Sequence, residues 1–199
     1  MNGDDPDEPV SRSAMPEIDQ NTPVAKVAAL VSQALEAAGI EATLSGGGAV
    51  SIFSANAYES RDLDFVTSAG GPAIERAIAR LGFHRRSRLA REFDHPTSPW
   101  YVEFPPGPLA FGDTVVDHRD VPMLHTPYGP LRIVTPTHII MDRLAAYKHW
   151  KDEQSWDQAV WVAERQHIDW PAPERWAHDE GIDAVAVHRL RRAAGEVGT

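Results

Sequence analysis

Leu44-Ser45-Gly46-Gly47-Gly48-Ala49-Val50, with thirteen residues intervening between Gly48 and Asp62-Leu63-Asp64-Phe65, is the stretch on which the fold turns. Ile40 to Ser45 reads as a short strand that runs straight into the glycines. Without side chains there, backbone N–H groups can approach an anion closely, and the start of a following helix adds a favourable dipole. A tight turn with no ligand would use the same three residues. The second motif lies in Arg61–Thr67, where polar and apolar residues alternate as in a half-buried strand. Residues two apart on a strand share a face, so Asp62 and Asp64 converge while Leu63 and Phe65 enter the buried side. Two carboxylates that close repel unless a cation lies between them or one takes up a proton. Hard oxygen pairs of this kind suit Mg²⁺; the alternative is an exposed edge strand with solvated acids. Val102-Glu103-Phe104, in an expected strand Trp100–Phe104, offers a third carboxylate. If that strand lies beside Asp62 and Asp64, the three acids form a set able to hold one or two metals.

Working outward, Thr22-Pro23 reads as an N-cap followed by proline at the first helical position. Val24, Val27, Val31, Ala34, Leu35 and Ala38 then recur at helical spacing as far as Gly39. Ala49 to Ala57 reads as a helix or an irregular turn. Gly70-Gly71-Pro72 opens a second amphipathic helix, with Ile74, Ala77, Ile78 and Leu81 on one face and Gly82 at its end. Strands are expected at Phe83–Leu89 and between Thr114 and Val134, the latter interrupted by Pro122, Pro127 and Tyr128-Gly129-Pro130. Beyond Pro136 the pattern turns helical, over Thr137–Trp150, Gln154–Gln166, Pro171–Glu180 and Asp183–Ala194. The fold class expected is therefore α/β (α+β), a mixed-sheet core over 21–134 with a helical C-terminal extension over 135–199.

The chain has 199 residues, 42% hydrophobic and 24% charged, and no apolar run near the ~18 residues of a membrane span. That composition excludes a membrane protein and a mostly disordered chain. With no cysteine there is no disulfide framework, thiolate zinc site or cysteine nucleophile, so any metal is held by oxygen or imidazole. The amino terminus shows no basic and then apolar leader pattern, and the cytoplasm is the expected location. Residues 1–20 carry Asp4, Asp5, Asp7, Glu8, Glu17 and Asp19 against Arg12 alone, half of the net charge of −10, and read as a disordered acidic tail. Such a charge argues against a protein that coats nucleic acid through a broad basic face.

Together, Gly47-Gly48, Asp62-Leu63-Asp64-Phe65 and Val102-Glu103-Phe104 resemble the polymerase-beta-like nucleotidyltransferase superfamily. The pattern of that superfamily is a glycine pair after an apolar residue, about a dozen residues, Asp-apolar-acid-apolar, and a later apolar-acid-apolar strand. The match covers residues 44–104. The resemblance implies that Ser45, Gly46, Gly47 and Gly48 form the nucleotide-binding turn, that Asp62, Asp64 and Glu103 are catalytic and bind Mg²⁺, and that Glu103 binds metal or serves as general base. Gly48 stands where many relatives have serine, so Ser45 or Ser51 would have to supply the phosphate-binding hydroxyl. The run from Ile133 to Leu144, with Lys148, Lys151-Asp152 and Asp157, is similar to the helical segment of small bacterial nucleotidyltransferase-like proteins related to abortive-infection and toxin–antitoxin systems. There a basic residue approaches the phosphates, and Arg143, Lys148 and Lys151 are the candidates.

The resemblance implies transfer of a nucleotidyl group from an NTP such as ATP to an acceptor hydroxyl, with release of pyrophosphate. The acceptor would be tRNA, a protein side chain or a small molecule, and a toxin role would add an antitoxin partner. A rival reading is a binding or regulatory protein that keeps the fold without turnover; a metal-dependent phosphohydrolase is a third. Arg80, Arg85, Arg86, Arg88 and Arg91, with His84 beside them, either receive a triphosphate or RNA backbone or keep an edge strand soluble by charge. The six tryptophans read as packing residues, and His118, His125, His149 and His178 show no paired metal-ligand spacing.

Overall fold

A computed structural model describes residues 18–195. Helix α1 (Val24–Ala37) buries Val24, Val27, Ala28, Val31 and Leu35, the face its spacing predicts. It ends as expected at Gly39, whose φ of +69° lets the Ile40 amide return to the Leu35 carbonyl at 2.9 Å. Strand β1 (Thr43–Ser45) passes directly into helix α2 (Gly46–Phe53), and strand β2 (Asp62–Val66) follows. Helix α3 (Gly71–Ile78) continues into one turn of 3-10 helix and stops at Gly82, at φ +88°. Strands β3 (His84–Arg85), β4 (Glu92–Asp94) and β5 (Tyr101–Glu103) complete a five-stranded sheet of order β1-β2-β5-β4-β3. Only β2 and β5 pair in parallel, so the sheet is mixed, as the sequence predicts.

One sheet face carries Leu44, Leu63, Phe65, Val102 and Phe93, all fully buried, with Phe93 and Phe104 edge to face at 5.4 Å. The outer edge of β1 is covered where Val134 donates to the Leu44 carbonyl at 3.0 Å, which leaves no open template for another strand there. Two hairpins, β6 (Ala110–Phe111) with β7 (Thr114–Val115) and β8 (Met123–Thr126) with β9 (Gly129–Arg132), lead to helices α4 (Pro136–Trp150), α5 (Glu153–Ala163), α6 (Pro171–Asp179) and α7 (Ala184–Ala193). The helices begin where expected. Their buried faces share one continuous core with the sheet half, α2 packing on both α4 and α5. No helix among the described residues is long and apolar enough to cross a membrane.

Three expectations need correction. The packed chain starts before Asn21: Ile18 is only 3% exposed, and its carbonyl accepts from the Thr97 hydroxyl at 3.0 Å, so residues 18–20 belong to the folded body. Residues 1–17 of the expected tail lie outside the described residues. Thr22 does not cap α1; its hydroxyl exchanges bonds with Asp19, and Pro23 is the cap residue. The strand expected over Phe83–Leu89 shrinks to His84–Arg85, because the chain turns at Ser87 and Leu89 stands 92% exposed before returning as β4. Of the tryptophans, Trp170 and Trp176 are buried, whereas Trp150 is 82% exposed.

Candidate active site

The glycine run is pressed against β2. Gly46 sits at φ +61°, and a methyl group there would overlap the Asp64 carboxylate. A Cβ on Gly47 would come within 2.8 Å of Ser60 Oγ, and one on Gly48 within 2.8 Å of a Leu63 methyl and 3.0 Å of the Asp62 carbonyl. The absence of serine at position 48 thus has a steric reason: this backbone leaves no room for a side chain. The α2 N-cap, Ser45, makes no side-chain capping bond, so the first N–H groups of the helix have no such partner. Ser51 does not take over as a phosphate-binding hydroxyl; it donates to the Gly47 carbonyl at 3.0 Å and accepts from the Ser60 amide at 2.9 Å.

The register of the sheet aligns the acids. Leu63 and Phe65 are buried, which turns Asp62 and Asp64 to the opposite face. Asp64 pairs with Glu103 across the parallel strands, Ser45 flanks it on β1, and Glu92 lies opposite Glu103 on β4. A row Ser45, Asp64, Glu103, Glu92 therefore crosses four strands, with Asp62, Tyr101 and Asp94 in the row beside it. Like charges directly opposite destabilise a sheet. Burial, then the charges of Asp62 and Glu103, push the Asp64 carboxyl up to about 7, while Arg143 pulls it down and Asp142 pushes it up. Glu103 is also raised, by burial first and then by Glu92 and Asp62, with Arg86 opposing. Burial and the three acids together raise the Tyr101 phenol.

The three expected ligands thus share a face and feel one another's charge. Their side chains do not close on one point: among the described residues, no group of three or more acids or histidines is arranged to hold a metal ion. Carboxylates with no cation between them repel, and Asp62 Oδ1 accepts from the Ser60 hydroxyl. In kind and in strand position the donor set still fits a hard divalent cation: all carboxylate, on neighbouring register positions, with a charge excess that a cation would relieve.

Around the acids, Arg143 on α4 has its guanidinium between Asp142, at 2.5 Å, and the Gln158 amide oxygen, at 2.9 Å. It is the basic candidate whose charge reaches Asp64. Lys148 donates instead to the carbonyls of Glu180 and Gly181, at 3.0 and 2.5 Å, at the C-terminal end of α6, and Lys151 is an exposed residue at φ +52°. The arginine cluster is largely committed to structure. Arg86 pairs with Glu92 and Asp94, Arg91 donates to the carbonyls of Phe104, Thr67 and Ala69, and Arg85 donates to the Ala90 carbonyl at 2.6 Å. Sequence reasoning missed Glu92 because β4 was not foreseen. It also missed Ser60, which lies just before β2, outside the alternating stretch, and reaches Asp62 through its hydroxyl. A cavity of about 200 Å³ opens beside Ser60, lined also by Ser51, Asn56, Glu59 and Trp100.

Among solved structures, the chain is similar to that of the antibiotic-resistance factor ANT(2'')-Ia, determined in solution and described as revealing substrate-regulated conformation dynamics. The two are 15% identical with a TM-score of 0.46, over 85% of this chain and 89% of that one. No family model matches the chain, and no curated protein matches it.

Proposed function

We propose that the protein is a Mg²⁺-dependent nucleotidyltransferase that moves a nucleotidyl group from an NTP to an acceptor hydroxyl. The observation that carries this reading is the placement of Asp64: its carboxylate lies where a methyl group on Gly46 at the start of α2 would stand, it is paired with Glu103 across β2 and β5, and it is pushed up to about 7. An anion-attracting helix start and a carboxylate set that calls for a cation are thereby joined in one place.

The chain's own groups divide the work. The N–H groups opening α2 at Gly46, Gly47 and Gly48 receive phosphate oxygens, which the lack of side chains allows to approach. Arg143 supplies positive charge beside them. Asp62, Asp64 and Glu103 would hold the metal, which when bound would neutralise phosphate charge and lower the acceptor's pKa. Glu103, with its raised affinity for protons, takes the acceptor's hydroxyl proton as the oxygen attacks the α-phosphorus and the bond to pyrophosphate breaks. Acceptors of three kinds suit this chemistry: a tRNA end, a protein side chain or a small molecule. A toxin paired with an antitoxin would use the first or second.

The experiment is to incubate the protein with each α-labelled NTP, Mg²⁺ and total cellular RNA or protein. The expected result is label in one acceptor fraction, absent with EDTA and with Asp64→Asn. A second reading, a nucleotide-binding regulatory protein without turnover, is favoured by the acids not gathering three donors at one point. It predicts NTP binding with no label transferred and no pyrophosphate released.

A further inference from the structure

Two buried serines connect the glycine turn to the first aspartate. Ser51, on α2, is 1% exposed and Ser60, just before β2, is 5% exposed. Each hydroxyl has one proton to give, and both are committed. Ser51 Oγ donates back to the Gly47 carbonyl at 3.0 Å and accepts from the Ser60 amide at 2.9 Å; Ser60 Oγ donates to Asp62 Oδ1. The packing is equally specific, since a Cβ on Gly47 would lie 2.8 Å from Ser60 Oγ and 3.0 Å from Ser60 Cβ. Any side chain at position 47 would therefore strike the serine whose hydroxyl holds the carboxylate, whereas Ser60 itself borders a cavity of about 200 Å³.

The fold accounts for part of this. Ser51 gives the buried Ser60 amide an acceptor, which a packed interior requires. The Ser60 hydroxyl serves a carboxylate that is only half-buried, so an alanine there would leave Asp62 with solvent within reach. Helix α2 does not require the Ser51 bond to Gly47, because a serine bonding back to the preceding turn slightly destabilises a helix. A single hydroxyl on a carboxylate nevertheless fixes its rotation and takes one oxygen, leaving the other to a cation.

We propose that Ser60 is a positioning residue for a divalent cation at Asp62: its hydroxyl holds Oδ1 and leaves Oδ2 to serve the cation. Ser51 ties that arrangement to the glycine turn, so that the phosphate-binding backbone and the first carboxylate are set together. Such partners beyond the ligands orient them, and their loss typically lowers metal affinity about 10-fold to 100-fold. The proposal rests on the nucleotidyltransferase reading only in needing a divalent cation at Asp62.

The test uses the full chain and Mn²⁺ as the probe, with free Mn²⁺ counted by its electron paramagnetic resonance signal. Ser60→Ala is expected to weaken Mn²⁺ binding about 10-fold with little change in thermal midpoint, and Ser60→Thr, which keeps the hydroxyl, to bind far better than Ser60→Ala. If Ser60→Ala does not fold, Ser60→Cys retains the volume with a weak donor and carries the same expectation. In an Asp62→Asn background Ser60→Ala should add no further loss, because the serine acts through that carboxylate. Mn²⁺ affinity in Ser60→Ala equal to or tighter than that of the original chain, no rescue by threonine, or a full additional loss on top of Asp62→Asn overturns the positioning role. Binding that is normal in the original chain and in Ser60→Ala sinks the serine proposal alone. Absence of Mn²⁺ binding in the original chain sinks both it and the metal-dependent function.

Discussion

The sheet half and the helical half of this chain treat local rules in opposite ways. In the helical half, α4 is capped by Thr135, α5 by Asp152 and α7 by Asp183, each side chain accepting from an amide in the first turn. Lys148 adds a cation at the carbonyls that end α6. In the sheet half, α2 opens on three glycines with no capping side chain, and β2, β5 and β4 set Asp64, Glu103 and Glu92 in one row. Each of those features costs stability. Where a fold gives up stability at one place and satisfies its groups elsewhere, that place is the one to suspect of chemistry.

The comparison breaks most directly at Asp64. Asp64→Asn is expected to abolish nucleotidyl transfer, while the thermal midpoint at neutral pH stays level or rises as repulsion with Asp62 and Glu103 is relieved. Its pH dependence follows from the raised carboxyl. The folded state holds that proton more tightly than the unfolded chain, so Asp64 favours the fold below its ordinary value of 3.8. That stabilisation fades as the pH rises towards about 7. Thermal midpoints measured from pH 4 to 8 in EDTA should fall less steeply for Asp64→Asn than for the original chain, and an identical slope would contradict the raised value.

Two glycines at positive φ sharpen the contrast. Gly39→Ala at φ +69° meets nothing within 4 Å, so it should cost only the strain of the left-handed backbone, about 1 kcal/mol, with transfer unchanged. Gly46→Ala at φ +61° suffers the same strain and also drives a methyl group into the Asp64 carboxylate, and should lose most transfer activity as well. Melting curves and transfer rates on the pair separate backbone strain from damage to the site; equal activity loss in both would remove Gly46 from it.

The smallest effect belongs to the helical half. Thr135→Ala removes the α4 cap and should lower stability by about 1 kcal/mol with unchanged KM and kcat. A KM shift of several-fold would mean that α4 helps shape the nucleotide site through its first turn.

The sequence makes the outline of this architecture legible for identifiable reasons. Periodic apolar residues mark α1 from Val24 to Leu35, Gly39 marks its end, and the alternation in Asp62-Leu63-Asp64-Phe65 sets which way the acids face. Glu92-Phe93-Asp94 has one apolar residue between two charges and follows an irregular turn, so β4 and its acid stayed hidden until strand pairing was known. That Arg143 acts on Asp64 while Lys148 bonds to the end of α6 depended on how α4 is turned against its neighbours, information that helical spacing alone does not hold. Ile18 was lost among acids because one apolar residue in a charged stretch gives no periodicity, although the fold buries it.

On the proposed function, the glycine-opened helix and the acids of β2 and β5 together hold a metal-bound nucleotide. Crystals grown with Mn²⁺ and an NTP analogue that cannot be cleaved at the α-phosphate test it in one anomalous difference map. A Mn²⁺ peak is expected at about 2.1 Å from oxygens of Asp62 and Asp64, the distance usual for a small hard cation, with the triphosphate on the amides of Gly46–Gly48. A nucleotide bound elsewhere, or a metal peak away from these carboxylates, would contradict it.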